Sequence, residues 1–456
     1  MASQPERPVL LTGWGRTAPT AARVVRPRSA AQVARALAEA GPRGVLARGL
    51  GRSYGDAAQA AGGTVLDCTE LTGPIRLDAD RGEVTVPAGV SFERLIAHLL
   101  ERGYFVPVTP GTRQVTVGGA IAADVHGKNH HADSSLGAHV RSLTLAAPTG
   151  ETLTLTPDGG DAELFRATLG GMGLTGVVTE ATLAVLPVET SYMRVDTDRT
   201  DSLDATLDLM SRTDADYRYT VCWVDLLAKG SAMGRGVLTR ADHAGPRDLP
   251  PALRRDPLRH RAGSPLAAPP WAPPGLLNSW TVGAFNAVYR GAAPRRRRGE
   301  AQPIAGFFHP LDAVRGWNRL YGPHGLVQYQ FVVPFGAEDT LVRIMEGLSR
   351  AGAPSFLTVL KRLGEGTGGH LSFPRPGWTL AVDLPAGLPG LGRMLRRFDE
   401  LLLAADGRLY LAKDGRADAE TVHAMYPDLP AWRKVRERVD PDGVLVSDLA
   451  RRLRLL

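Results

Sequence analysis

The chain has 456 residues, 43% apolar and 22% charged, with a net charge of +7 and an isoelectric point near 9.6; this is ordinary soluble globular composition, with room for two or three domains and a large core. The positive excess suits acidic lipid, nucleic acid or phosphorylated small molecules alike, but it is mostly dispersed arginine with one dense knot, Arg295 to Arg298. The opening MASQPERPVLLTGWGRTAPT is not patterned as a secretory signal, no apolar run approaches the roughly 18 to 20 residues of a membrane helix, and Cys68 and Cys222 are too far apart for a disulfide framework or zinc-type spacing.

In chain order, a strand-like VVRP precedes a helix, AQVARALAEA, capped by Ser29 with Gln32 three residues on and stopped by Gly41. GVLARG reads as a short buried strand entering a first glycine-rich run, Ala47 to Asp56 (ARGLGRSYGD). TVLDCTEL and EVTVPAG follow as strands, and Ser91 caps a second helix, FERLIAHLLER, with Gly103 as its stop. Next comes a second run of glycine and small residues, Val106 to His139. Glycine serves where backbone takes φ > 0 or lies against something else, and successive N–H groups in such turns form anion-binding nests. A dinucleotide diphosphate fits that composition; ordinary turn-rich loops are the alternative. The alternation of strands and helices predicts an α+β or α/β domain holding its ligand between the loops.

RSLTLAAPTGETLTL reads as two strands about a Thr149-Gly150 turn, DAELFRATLG as a helix and GLTGVVTEATLAVLP as a strand. Gly171 to Gly176 is formally G-x-G-x-x-G, but here it follows a helix and opens a strand, the reverse of a nicotinamide-binding fingerprint, and that function is rejected. From about Ser191 to Arg408 the character changes, with Trp223, Trp271, Trp280, Trp317 and Trp378 and a proline-dense piece from Pro265 to Leu277. Its composition predicts a mobile surface loop or lid, suited with the four arginines to a membrane surface or an amphiphilic phosphate ester, or else a solvated linker. VQYQFVVP, SFLTVLKRLG and WTLAVDLP read as strands that wall a pocket. GRLYLAKDGR, a helix ETVHAMYP and a basic tail complete the pattern.

ARGLGRSYGD, TPGTRQVTVGGAIAADVHGKNHH, LFRATLGGMGLTG, VQYQFVVP, LYLAKD and the HAMYP and DPDGVLVSDLARRL segments together resemble the decaprenylphosphoryl-β-D-ribose 2′-oxidases, the flavin subunits of two-enzyme 2′-epimerases, within the vanillyl-alcohol oxidase and p-cresol methylhydroxylase type of flavoprotein. The resemblance implies an α+β fold. Residues 1–190 would bind FAD between two subdomains, 191–407 would bind substrate on an antiparallel sheet with a mobile loop near 258–300, and 408–456 would return to the flavin domain. It also implies oxidation of a lipid-linked ribose phosphate, a short-chain NADH-dependent reductase as partner, peripheral contact with the membrane at the cell envelope, and no nucleic acid. The nearby rival is a soluble sugar, alditol or lactone oxidase; the distant one is a non-catalytic flavoprotein at a membrane surface.

By position, the family's flavin contacts fall on Ala47, Arg48, Gly49, Leu50, Gly51, Arg52, Ser53, Tyr54, Gly55 and Asp56, on Gly111, Thr116, Val117, Gly118 and Gly119, on Ala123, Asp124, Val125 and His126, and on Val178 and Tyr410. Where covalent relatives carry a histidine, this chain has Arg52, so FAD is expected to be held non-covalently. Lys413 matches the family's essential lysine, which takes a proton or steadies an alkoxide, and His126 is the second catalytic candidate. A metal shared by His126 and His130 is disfavoured, because Gly127 and Asn129 oppose a helix there and no carboxylate lies between the histidines as in H-E-x-x-H. Tyr54, Gln328, Gln330 and Lys361 match polar substrate positions, and Trp223 or Trp378 could wall the pocket or be core. Thr379 replaces a family asparagine and Ala381 a cysteine that nitroaromatic inhibitors attack, so resistance to that covalent route is expected.

Overall fold

A computed structural model of the chain describes residues 7–264, 266–273 and 275–456. The first six residues of the segment read for a signal, and Pro265 and Pro274 of the proline-dense piece, lie outside the described residues.

The first sheet has four strands in the spatial order Val9–Leu11, Thr20–Val25, Thr64–Asp67, Val45–Arg48, the last three mutually parallel. Parallel neighbours need a crossover, and the helix Ala30–Ala38 supplies it, burying Val33, Ala36 and Leu37 while Ser29 accepts the Gln32 N–H as cap. A second, antiparallel sheet follows in the order Arg76–Asp78, Glu83–Pro87, Val177–Ala184, Val140–Ala146, Thr152–Leu155. Between its strands lie the helix Phe92–Leu100, capped by Ser91, and a short helix, Val117–Ala122, capped by Thr116. Val-Gly-Gly is a weak helix start, and composition alone leaves this turn inside a loop. Packing explains the glycine: a Cβ on Gly118 would stand 3.0 Å from Ala88 Cβ.

The third sheet is antiparallel and has eight strands, in the order Arg296–Pro303, Tyr192–Thr200, Gly236–His243, Tyr219–Val224, Thr358–Leu363, Gly377–Pro385, Leu326–Val333, Arg408–Leu409. Strand alternation and the register Trp223↔Val359↔Ala381↔Gln330 put these four side chains on one face, with Lys361 and Gln328 two residues along. The opposite face is covered by the helices Glu338–Arg350 and Leu391–Ala404; Tyr329 on that side donates to Asp399 at 3.0 Å.

The region 258–300 is more regular than its proline content predicts. It contains the helix Ser279–Ala292, opened by a capping box in which Asn278 and Thr281 exchange hydrogen bonds, and the arginine knot enters the edge strand Arg296–Pro303. Leu266–Ala267 pairs with Val314–Arg315. The motif Gly171 to Gly176 does lie between a helix, Ala162–Thr168, and a strand, Val177–Ala184.

The last residues return to the first sheet. Val45 N–H donates to Val444 O at 2.8 Å and Val446 N–H to Val45 O at 3.0 Å. Arg452 forks onto both oxygens of Asp56 at 2.8 Å and reaches Asp414 at 2.9 Å.

Candidate active site

A cavity of about 900 Å³ runs between the glycine-rich turns and the inner face of the eight-stranded sheet. That is the upper end of the range for small-molecule sites, about 300 to 1,000 Å³, and ample for a dinucleotide. One end is walled by Ala47 to Tyr54 and by Gly111, Thr116, Gly118 and Gly119. The wall is backbone because side chains do not fit: a Cβ on Gly49 would meet Thr116 Oγ1 at 2.1 Å, and Gly51 has φ +63°. Among the described residues, the N–H groups of Leu50, Gly51, Arg52 and Ser53 have no hydrogen-bond acceptor. Consecutive free donors at a glycine turn make an anion nest, so these residues fit a dinucleotide diphosphate. Further along, Ala123, Val125, His126, Val178 and Tyr410 continue the wall.

The other end is lined by amines and amides. Lys413 follows the edge strand Arg408–Leu409 in a turn closed by Lys413 N–H to Tyr410 O at 2.9 Å, and its Nζ lies 4.1 Å from the centroid of the Tyr54 ring. Burial lowers its pKa to about 8, with the Asp383 carboxylate opposing. Lys361, whose Nζ donates to Gly127 O at 3.4 Å, is lowered to about 8 by burial and by the Lys413 charge. His126 is held neutral, far below its ordinary range, by burial and then by Lys361, His130 and Lys413. Gln330 Nε2 donates to His126 Nε2 at 2.9 Å. The imidazole proton then sits on Nδ1, which is buried with no partner among the described residues. His130 is spent on structure, bonded to Ser135 Oγ and to the Gly364 N–H, both at 3.1 Å.

Not every expected site residue reaches the cavity. Gly55 lies against the turn that carries Lys413, where a Cβ would meet Asp414 O at 2.0 Å, and Asp56 is tied to Arg452. Val117 points into the core. Asp124 is buried and accepts from Gly137 N–H at 2.9 Å, Thr367 Oγ1 at 2.7 Å and Ser372 Oγ, so it braces the loop from behind. Thr379 lies behind Gln330, accepting its amide at 3.3 Å. Ala381 and Trp223 line the cavity, whereas Trp378 is core, donating to Glu338 at 3.0 Å.

Two groups escaped the sequence reading. Lys128, inside the HGKNHH motif, lines the cavity with its Nζ 2.5 Å from Phe307 O and its pKa lowered to about 7 by burial and then Lys361. Asp383, two residues beyond Ala381, is buried beside Gln328. Strand periodicity alone would have placed it on the cavity side, since positions 379, 381 and 383 share a face.

Known proteins resemble this chain in sequence. The FAD binding domain family matches residues 21–156, and the D-arabinono-1,4-lactone oxidase family matches residues 385–453. A decaprenylphosphoryl-beta-D-ribose oxidase of Mycolicibacterium smegmatis is 46% identical over 98% of this chain and 97% of its own. An L-gulono-1,4-lactone dehydrogenase of Mycobacterium tuberculosis is 25% identical over 94% of this chain and 95% of its own. The D-arabinono-1,4-lactone oxidase of Eremothecium gossypii is 27% identical over 47% of this chain and 40% of its own. The cofactor is FAD, and the cavity is large enough to admit it. By an identity that runs along almost its whole length, the chain belongs to the decaprenylphosphoryl-β-D-ribose oxidase family of FAD-dependent oxidoreductases acting on CH–OH groups.

Proposed function

We propose that the protein oxidises the 2′-hydroxyl of decaprenylphosphoryl-β-D-ribose, or a related polyprenylphosphoryl pentose, to the 2′-ketone. This is the first step of an epimerisation to the arabinose donor for cell-wall synthesis, and a short-chain NADH-dependent reductase completes it. The observation that carries this reading is a buried amine of lowered pKa, Lys413, in a cavity whose far end is an anion nest, in a chain of this family. Bound FAD supplies the acceptor for the hydride that leaves the carbinol carbon. The residues of the chain handle the proton and the pose. Gly49 to Tyr54 with Thr116, Gly118 and Gly119 would hold the diphosphate, and Val178 and Tyr410 would line the space beyond it. Lys413 as free amine takes the hydroxyl proton, the His126 Nδ1–H orients a sugar oxygen, and Lys361 with Gln328 and Gln330 meets the remaining polar groups.

FAD is held without a covalent bond. Arg52 stands in the first loop, its guanidinium 4.2 Å over the Trp14 ring and donating to Leu50 O at 2.5 Å, and an always-protonated guanidinium has no free pair with which to attach a flavin methyl. The proposed boundaries are 1–190, 191–407 and 408–456, the tail contacts at Val45 and Asp56 supporting the last. The protein works as a peripheral membrane protein at the cell envelope. In support, no helix among the described residues is long and apolar enough to cross a membrane, and the helix Ser279–Ala292 carries Trp280, Phe285, Val288 and the cavity-lining Tyr289 at 88%, 44%, 72% and 45% exposure, Phe285 stacked on Tyr289. Clustered exposed apolar side chains mark contact surfaces.

A soluble sugar or lactone substrate is the second reading, favoured by the match of residues 385–453 to the lactone oxidases. Anaerobic bleaching of the flavin absorbance across free and lipid-linked pentoses separates the two. Bleaching by lipid-linked ribose is expected; bleaching by lactones or free alditols alone would overturn the proposal, and no bleaching at all would point to a non-catalytic flavoprotein.

A further inference from the structure

We propose that the outward face of the helix Ser279–Ala292 is a docking surface for an anionic lipid bilayer, and that the cavity opens onto that interface beside Tyr289, where a prenyl-linked substrate enters. The helix is fixed from its inner side. Val282 and Asn286 are buried, Asn286 Nδ2 donates to Asp225 Oδ1 at 2.7 Å, and the Tyr289 ring stands 4.7 Å from that of Trp223. Its outer side is built differently. Trp280, Ala284 and Val288 recur at i, i+4 spacing and so form one stripe, which Phe285, Ala287 and Tyr289 widen, and all six are exposed. A helix face turned to water ordinarily carries charged side chains, yet this helix contains no Asp, Glu or Lys. Its one charged residue, Arg290, is mostly covered, bound to Asp201 and to Thr200 O at 3.2 Å.

The flank of the helix indicates what covers this face. Arg295 and Arg296 follow directly after it, exposed and without an acidic partner among the described residues, whereas Arg297 is paired with Glu300 and Arg298 with Asp196 and Asp198. An uncharged helix face with tryptophan at one end and free arginines beyond the other matches a bilayer surface, where apolar side chains enter the acyl boundary and cations meet lipid phosphates. Tyr289 both lines the cavity and is exposed, so it stands at the mouth, and Trp223 continues the wall inward. A substrate whose prenyl chain stays among lipids while its sugar phosphate turns inward passes along this aromatic edge without crossing water.

This docking role deepens the peripheral-membrane and substrate reading above and rests on it, but its first test uses vesicles that contain no substrate. FAD-loaded protein is floated with vesicles of phosphatidylcholine, with and without phosphatidylglycerol. It should bind the anionic vesicles, less so as salt is raised. Trp280→Asp with Val288→Asp should lower that binding by about tenfold or more, and Arg295→Glu with Arg296→Glu should abolish the preference for phosphatidylglycerol, with flavin content and Tm unchanged. Should the aspartate changes disturb folding, brominated acyl chains replace them: these should quench tryptophan emission in the native protein and much less in the conservative Trp280→Phe. Failure of the native protein to bind anionic vesicles, equal binding by the aspartate variant, equal quenching in Trp280→Phe, or a native dimer in light scattering that Trp280→Asp separates would each overturn the proposal. Flavin reduction by lipid-linked ribose in anionic vesicles should slow about tenfold in the aspartate variant, whereas a short-prenyl analogue free in solution should react at the native rate; equal slowing with both would also overturn it. Vesicle binding without any flavin bleaching would leave the docking face standing and remove the substrate reading, and bleaching without vesicle binding would do the reverse.

Discussion

Lys413 is adjusted by burial more than by an ion pair, and two measurements follow. Lys413→Met should lower substrate-driven flavin reduction by about a hundredfold or more with flavin still bound; an unchanged rate would remove the amine from the chemistry. Because burial lowers the lysine pKa to about 8, the free amine gains population as pH rises through that value. The rate of reduction should climb with pH across it and then level off, and a rate that instead falls there would contradict proton acceptance by Lys413. At Ala381, on the cavity wall, there is no thiol for a nitroaromatic inhibitor to attack. The intact mass should be unchanged after inhibitor turnover, and Ala381→Cys should gain an adduct. Legibility was uneven at this scale. The glycines of the first loop betray a ligand by composition, whereas the place of Lys413 depends on a turn after a two-residue strand that no periodicity marks. Lys128 is not legible because nothing in a polar loop's sequence separates a lysine that lines a cavity from one in solvent.

Among elements, the close fit of Gly49 against Thr116 ties the first loop to the cap of the helix Val117–Ala122. Gly49→Ala would drive a methyl group into that hydroxyl, and overpacking of this kind costs about 1 to 3 kcal/mol. Flavin affinity should fall by about ten- to a hundredfold in equilibrium titration; tight binding by the variant would show that the turn is not the cradle. The strands around the cavity were legible from alternation and β-branched residues, and Leu326–Val333 and Gly377–Pro385 lie where that pattern puts them. The helix Ser279–Ala292 was not. Prolines on its N-terminal side dominate the composition and hide the Asn278 capping box, and its outward Trp280 and Val288 blur the apolar stripe by which an amphipathic helix is recognised.

Across the whole molecule, Arg452 is the staple between the first glycine loop, through Asp56, and the lysine turn, through Asp414. Removing one partner of such a largely buried cluster leaves carboxylates uncompensated, and Arg452→Met should cost on the order of 3 kcal/mol. Its urea unfolding midpoint should drop and flavin should release earlier; an unshifted midpoint would make the pair ornamental. Element order left α+β or α/β open, and α+β and the return of the tail were legible only through the family resemblance, because pairing between distant segments leaves no mark on local pattern. That return also bears on biogenesis. Asp56 and Arg452 are 396 residues apart, and chains emerge from the ribosome at about 5 to 20 residues per second. The nascent flavin cradle must therefore wait tens of seconds, open and unbraced, before its clasp is made. A stalled chain lacking the closing residues should be degraded or held by chaperones as apoprotein, and cofactor capture should mark completed synthesis.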